Sequence, residues 1–524
     1  MSGDHVLAID LGTSGPKVAL VSLTGQVRCW QNRTTQLQLG EGGAAEQDPE
    51  DWWTSIVAAA RAVLAESGLT RDHVAAVAVT SHWAGLVAVN AQGTPLHPAI
   101  IWMDSRGARY MPKLCGGPIR VEGYGPRKLA RWLRLTGGAP SLAGKEPIAH
   151  LELLRHEFPE VHRAAAMFLE PKDWLNHRLT GEFVATIDSI AVWWATDNRD
   201  LAKVDYDPTL LARVGLERSR LPRLVQATDI IGTLTQRAAE DLGLNPQTVV
   251  VGGTPDVQSG SVGSGAVRDG EPHLYVGTSS WLSCHVPFKK TDLFHSIASL
   301  PSALPGRYFV ANSQETAGAC LEWLRDSVLF PADALGTGGS PDDFWARLEA
   351  LAKTAPVGSG GTMFTPWLYG ERCPVADHHI RAGFHRMTLR TTRAELVRSV
   401  YEGVAYNLRW LLVYVEKFVG KRMDSIRFIG GGAASPLWNQ IMADVLDREI
   451  QQVADPRVCN ARGAALLASL ALGAVAVEDI PAMVPVARSF APRDEHRALH
   501  AHRFEEFLRL YRRNRAIHAR LDVS

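Results

Sequence analysis

One pattern occurs twice in this chain, and it narrows the folds open to it. Residues 6–21 form an apolar run ending on Asp10, a loop Gly12-Thr13-Ser14-Gly15, and a second apolar run. Residues 274–282 repeat the theme about half a chain length later, with the loop Gly277-Thr278-Ser279 between apolar runs. Two copies at that separation predict a duplicated fold whose halves each contribute a hairpin. Glycines at the loop let the backbone turn sharply and approach a ligand closely. Bare N–H groups and hydroxyls in such a loop suit a phosphate. Asp10, at the loop mouth, is placed to hold a hydrated Mg²⁺, which usually keeps several waters and takes only one or two carboxylates.

The spacing excludes the two commoner phosphate loops. There is no Gly-x-x-x-x-Gly-Lys-Ser/Thr and no Gly-x-Gly-x-x-Gly, and both of those lead into helices. Here residues 17–23 read as another strand that ends at Thr24-Gly25. Taken alone, the first loop reads equally well as a plain hairpin turn. The second copy shifts the reading to a pair of loops that clamp a polyphosphate from both sides.

At 524 residues the chain is long enough for two or three domains with full cores. Lys+Arg and Asp+Glu both number 55, so no net charge draws it to nucleic acid or to anionic membrane. Six scattered cysteines without a Cys-x-x-Cys pair suggest neither a zinc site nor a disulfide framework, and fit a reducing cytoplasm. The start goes straight into a strand, with no basic, apolar leader. The stretch 463–477 is too short to span a bilayer and reads as a buried helix. The expected location is cytoplasmic, with no membrane partner.

Along the chain, Asp48 and Pro49 open a helix as N-cap and first helical residue. Residues 74–80 are continuously apolar, as in a strand buried on both faces. That strand empties onto Ser81-His82-Trp83-Ala84-Gly85, where α/β proteins place ligands. A hairpin at 90–93 leads to a strand at 99–106 that carries Trp102 and Asp104. Trp83 and Trp102 suit a substrate face and core packing equally. Residues 107–248 read as mainly helical, with 170–175 and 179–182 punctuating helix ends. The strand 248–256 runs through two glycines onto Asp256, and the small residues 259–266 predict a helix packed tightly on a neighbour. Asp256 is either a helix cap or a general base beside a cleft. Further on, 315–320 opens a helix, 396–415 is a long helical pattern, and 426–435 joins a strand to a helix through Gly430-Gly431-Gly432.

These features together resemble the FGGY family of carbohydrate kinases, most closely its xylulokinase-like branch, from about Val6 to Gly473. Asp10 to Lys17 is similar to the family's first phosphate motif, Leu274 to Ser280 to the second, and Phe428 to Gln440 to the adenosine motif. Gly383-Phe384-His385-Arg386 through Glu402-Gly403-Val404-Ala405 is similar to its C-terminal signature. The resemblance implies an α/β, two-lobed, actin-like (ribonuclease H-like) fold with a central cleft and a duplicated domain. The expected division is an N-terminal sugar-binding lobe over 1–250, a C-terminal ATP-binding lobe over 251–485 and a helical extension over 486–524.

It also implies ATP and Mg²⁺, with Asp256 as the catalytic base and Asp10 ordering the metal through water. Gly12, Thr13, Ser14 and Lys17 would meet the phosphates from one side and Gly277, Thr278 and Ser279 from the other. Gly318, Gly431 and Gly432 would line the nucleotide, and His82, Trp83, Trp102, Asp104 and Asp256 the sugar. Members of the family are often homodimers, and no interface is legible here. Three positions depart from the xylulokinase pattern. Trp83 and Ala84 stand where that branch has methionine and a sugar-facing histidine. Val257 follows the base in place of Asn or Gln, and Pro16 replaces a hydroxyl residue. The first two remove polar contacts to the sugar, which points to an altered pentulose, polyol or related acceptor. A switch ATPase of actin-like fold and a sugar-binding pseudo-kinase are the competing classes. Intact Asp10, Asp256 and both loops favour the kinase.

Overall fold

The computed structural model describes residues 3–521. β1 (His5–Gly12) and β2 (Gly15–Ser22) pair antiparallel across the first glycine loop, with Gly12 opposite Gly15. Gly15 holds a φ of +130°, and a Cβ there would lie 2.1 Å from the Arg33 carbonyl oxygen. Neither backbone strain nor space admits a side chain. β3 (Val27–Asn32) extends the meander. α1 (Pro49–Ser67) starts on Asp48, whose carboxylate accepts the Glu50 N–H, with Pro49 in the first turn as the sequence predicts.

β4 (Val74–Ser81) lies parallel to β1 and is almost wholly buried, which explains its unbroken apolar run. A mainly helical insertion follows, containing α2 (Pro171–Thr180). β5 (Ile230–Thr233) and β6 (Val249–Pro255) then complete the sheet, in the order β5-β6-β4-β1-β2-β3. β6 continues through residue 250, the expected lobe boundary, because 249–255 bond as one strand to β4. α3 (Asp256–Ser264) follows without a break.

The second sheet repeats the first. β7 (His273–Val276) and β8 (Ser280–Ser283) form a hairpin across the second glycine loop. The long helix α4 (Arg393–Val419) begins in a Thr392–Glu395 capping box. β9 (Ser425–Ile429) pairs parallel to β7, and after α5 (Pro436–Leu446) β10 (Glu449–Val453) pairs parallel to β9. α6 (Cys459–Ala471) comes next, and β11 (Val486–Phe490) closes the order β8-β7-β9-β10-β11. In both sheets, then, two parallel strands are laid successively beside the first strand of a glycine hairpin. The last element among the described residues is α7 (Asp494–Leu521).

α3 and α6 stack between the sheets. A Cβ on Gly263 would fall 1.8 Å from the Cys459 carbonyl oxygen, and one on Gly463 would fall 1.9 Å from that of Ser259. The small residues of 259–266 are thus explained by backbone contact. The expected hairpin at 90–93 forms, with Val89 bridged antiparallel to Pro95 and Leu96 N–H donating to the Ala88 carbonyl (2.9 Å), and on its other edge Val87–Val89 pairs with Met167–Leu169. The strand expected over 99–106 shrinks to Ala99–Ile100, which pairs with the strand Ala44–Gln47, because the Asp104 carboxylate draws the following backbone into a turn. The extension expected to be helical from 486 opens instead with β11, whose residues find ladder partners on β10. All six cysteines are unpaired. Among the described residues no helix is long and apolar enough to cross a membrane.

Candidate active site

The two glycine loops and the end of β6 meet at the cleft between the sheets. At the first loop, Asp10 is 1% exposed and its carboxylate lies 3.5 Å from Lys17 Nζ. The loop is held from outside, where Trp102 Nε1 donates to Thr13 Oγ1 (2.9 Å) and Gln47 Nε2 to the Thr13 carbonyl (2.9 Å). The half-buried Trp102 therefore braces the first glycine loop through its indole N–H.

The second loop is stitched to the segment that follows the sheet. Gly318 N–H donates to the Gly277 carbonyl (2.7 Å), and Ala317 N–H donates to that of Thr278 (2.9 Å). A Cβ on Gly318 would stand 2.4 Å from the Gly277 oxygen, so this position needs glycine. The triple glycine divides its labour. Gly430, at φ +89°, and Gly432 press against Val276, whereas a Cβ on Gly431 would meet nothing within 4 Å. Gly431 is the bare one. A cavity of about 330 Å³ opens beside it, lined by Lys17, Trp30 and Asn32 from one half and by Tyr275, Gly430, Gly431, Arg457 and Asn460 from the other. Two cations, two amides and bare backbone suit an anionic chain.

Asp256 is the first residue of α3 and accepts the N–H of Val257 at 2.8 Å. It does not act as the helix cap, since Pro255 holds that position. Burial, and next the charge of Asp10, push its carboxyl up to about 7. A carboxylate at the end of a strand, facing a second acid and a lysine, is suited to accept a proton near neutral pH. His82 is 3% exposed, edge-on to Trp52 at 5.8 Å, and neither ring nitrogen has a protein partner. Burial lowers its pKa to about 4, so the ring stays neutral and keeps both a donor and an acceptor.

Besides Trp102, whose N–H is spent on Thr13, two more expected sugar contacts are otherwise engaged. Asp104 is fully buried, and its oxygens accept the N–H groups of Ala45 and Arg106 (2.9 Å each) and the Arg106 guanidinium. This carboxylate fixes Arg106, which also pairs with Glu46, and has no face left for a sugar. Trp83 gives its N–H to the Ser189 carbonyl (2.7 Å) and offers only its half-buried ring.

The sequence reading missed Tyr275, which lines the cavity. Its ring stacks on Trp281 at 3.9 Å, and Trp281 Nε1 donates to His273 Nε2 (3.0 Å). An aromatic two residues before a glycine loop was the available signal. A metal ion fits this site on limited terms. Among the described residues no group of three or more His, Cys, Asp or Glu could hold one. Mg²⁺ needs only one or two carboxylates, and the buried Asp10 at the loop mouth would offer one, close enough to Asp256 for its charge to be felt there.

Comparison with known proteins agrees with this geometry. The model of the N-terminal domain of the FGGY family of carbohydrate kinases matches residues 5–263, and that of its C-terminal domain matches 274–472. The chain is 31% identical over 513 residues to the xylulose kinase of Escherichia coli, covering 96% of this chain and 98% of the relative. It is 25% identical over 480 residues to the gluconokinase of Bacillus subtilis, covering 90% and 88%. The crystal structure of xylulose kinase from Rhodospirillum rubrum superposes with a TM-score of 0.81 at 25% identity, covering 98% of this chain and all of that one.

Proposed function

Because the chain belongs to the FGGY family of carbohydrate kinases, and is therefore a sugar kinase using ATP with Mg²⁺, we propose that it phosphorylates a hydroxyl of a pentulose or related polyol with Asp256 as general base. The observation that carries this reading is the placement of Asp256 at the end of β6, its pKa lifted to about 7. Ionised Asp256 takes the proton of the acceptor hydroxyl as its oxygen bonds to the γ-phosphorus and the bond to the ADP oxygen breaks. Lys17 and the backbone of residues 277–279 hold the phosphate oxygens, and Gly431 leaves room for the nucleotide to approach the backbone. Phosphoryl transfer needs little covalent help, so positioning and charge neutralisation supply most of the rate. Mg²⁺, when bound near Asp10, neutralises developing charge on the phosphates.

His82 and the ring of Trp83 are proposed to face the acceptor. Asp104 supports that side through Arg106 and is no longer proposed as a direct contact. Relatives are named for xylulose and for gluconate, so ancestry alone leaves the acceptor open. Ala84, at a φ of +65°, packs with Trp83 against the buried apolar cluster of the insertion, and Val257 is apolar. Both favour an acceptor with fewer polar groups at these points than a xylulokinase substrate presents. The test is ADP release from Mg-ATP against pentuloses, hexuloses, pentitols, tetritols and glycerol. Stimulation by a pentulose or pentitol, abolished in Asp256→Asn, is expected. Turnover indifferent to every acceptor would overturn the reading in favour of a switch ATPase.

A further inference from the structure

β6 does not reach Asp256 as a regular strand. Its register on β4 advances from Val251 opposite Ala78 to Thr254 opposite Thr80, so three steps on one strand face two on the other. The extra residue forms a bulge at Gly252-Gly253, and Gly253 takes a φ of +70° where a Cβ would stand 2.0 Å from the Val79 carbonyl oxygen. Bulges re-aim the residues that follow them. Here Asp256 follows three residues later.

The carbonyl that the bulge turns out of the ladder is taken up by α2. Gly252 O accepts from Lys172 Nζ (3.0 Å) and from Asn176 Nδ2 (2.8 Å). Lys172 is paired in turn with Asp173 (2.5 Å), and Asp173 accepts from Ser189 Oγ (2.8 Å). On the far side of the bulge, Thr254 Oγ1 donates to Asp188. Lys172, Asp173, Asn176, Asp188, Ser189 and Thr254 are each at most 1% exposed. None touches the cleft loops. Burying a cation among carboxylates is costly and is a poor source of stability. What this network gains is a fixed geometry for one kink, three residues ahead of the acid.

We infer that Lys172 and the Thr254–Asp188 pair are positioning residues that set where Asp256 stands relative to Asp10 and the phosphate loops. The inference rests on the reading of Asp256 as the base. The same network reaches the acceptor side, because the Ser189 carbonyl accepts the Trp83 N–H. The start of α2 also holds the turn between them, with Glu170 accepting the Gly85 N–H (3.1 Å). One helix start therefore fixes the base and the proposed acceptor-facing ring together, which no motif in the phosphate loops accounts for.

The test compares Thr254→Val with Thr254→Ser, and Lys172→Met with both. Thr254→Val keeps shape and removes the hydroxyl. With D-xylulose, D-ribulose and D-arabinitol as acceptors, it is expected to lower kcat about 10- to 100-fold while the KM for ATP stays within twofold. It should also move the ascending limb of the pH profile, which reports Asp256 under the charges of Asp10 and Lys17. Thr254→Ser, which restores the donor, should recover kcat to within a few-fold of wild type. Independently of any acceptor, hydrogen exchange in the peptide spanning 250–258 should quicken about tenfold in Thr254→Val and stay near wild type in Thr254→Ser. A merely structural role would lower Tm while leaving kcat per folded molecule and the pH profile unmoved, and that result would overturn the inference. Unchanged exchange would do the same. If Asp256→Asn retains transfer, the base reading itself fails. If Asp256→Asn is dead and Thr254→Val behaves as wild type, only the positioning role fails. Should Lys172→Met not fold, the threonine pair still decides the matter.

Discussion

Asp256 keeps its proton to higher pH than an ordinary carboxylate, first because it is buried and then because Asp10 lies within reach. As the proposed base, Asp256 works only when ionised, so kcat/KM should rise with pH and reach half its plateau near pH 7. His82 cannot produce that limb, since its pKa is lowered to about 4. Stability should move the opposite way. The folded state binds this proton more tightly than the unfolded chain, whose Asp titrates near 4. The associated stabilisation is present in full below pH 4 and is lost as pH rises through about 7. Asp256→Asn escapes that loss. It should therefore cut transfer by about 10²- to 10⁴-fold and yet melt a few degrees above wild type at pH 8, with the two proteins converging near pH 4. Equal melting temperatures at pH 8 would show that Asp256 ionises without penalty. The Asp10–Lys17 pair would then have to neutralise the site.

Elements here are legible where glycine and apolar spacing decide them. The two loop hairpins, the buried run of β4, the Asp48 cap and the tight α3–α6 contact all follow from local pattern, because each is dictated by φ, by alternation or by residue size. What escaped was long-range polar pairing. Lys172 and Asp173 read as ordinary helix-end residues, and Asn176 drew no reading at all, until the fold carries them beneath the β6 bulge, nearly 80 residues away in the chain. Asp104 misled for the converse reason. Its acid at a strand end looked open, and only the structure shows Ala45, 59 residues earlier, occupying it. Two glycines test the element scale directly. Gly318→Ala forces a Cβ to 2.4 Å from the Gly277 carbonyl, so the second loop must shift. The KM for ATP should rise about tenfold, with that for the acceptor little changed. Gly463→Ala drives α6 off α3 and should cost about 1–3 kcal/mol as overpacking, read as a lower urea midpoint with unchanged slope.

At the scale of the whole molecule, the halves are fastened at two places far apart in sequence. Near the stacked helices, Arg462 Nε donates to the Gly25 carbonyl (3.2 Å). Elsewhere, Lys289 Nζ donates to the Leu133 carbonyl (2.9 Å), Tyr308 Oη to that of Asn198 (3.0 Å), and Lys145 Nζ pairs with Glu315 (3.4 Å). Lys145 also sits 4.6 Å from the Tyr369 ring centre, and Glu315 is shared with Arg372 (2.8 Å). This second set joins the insertion of the first half to the second half, so it opposes separation of the two sheets around the cleft. A sugar kinase needs the cleft to open for exchange and to close against water during transfer. Burial lowers the pKa of Lys145 despite its acidic partner, which shows that desolvation offsets much of the attraction. Such a pair contributes geometry more than strength. Lys145→Met should therefore cost less than the about 3–5 kcal/mol typical of a stranded buried charge, because Arg372 still neutralises Glu315. Its main effect should be on closure. The radius of gyration of the substrate-free protein should increase in small-angle scattering. KM for ATP and for the acceptor should rise together by several-fold, with kcat at saturation nearly preserved. A variant with wild-type scattering and wild-type KM values would leave the remaining backbone contacts sufficient to hold the halves, and Lys145 no part in closure.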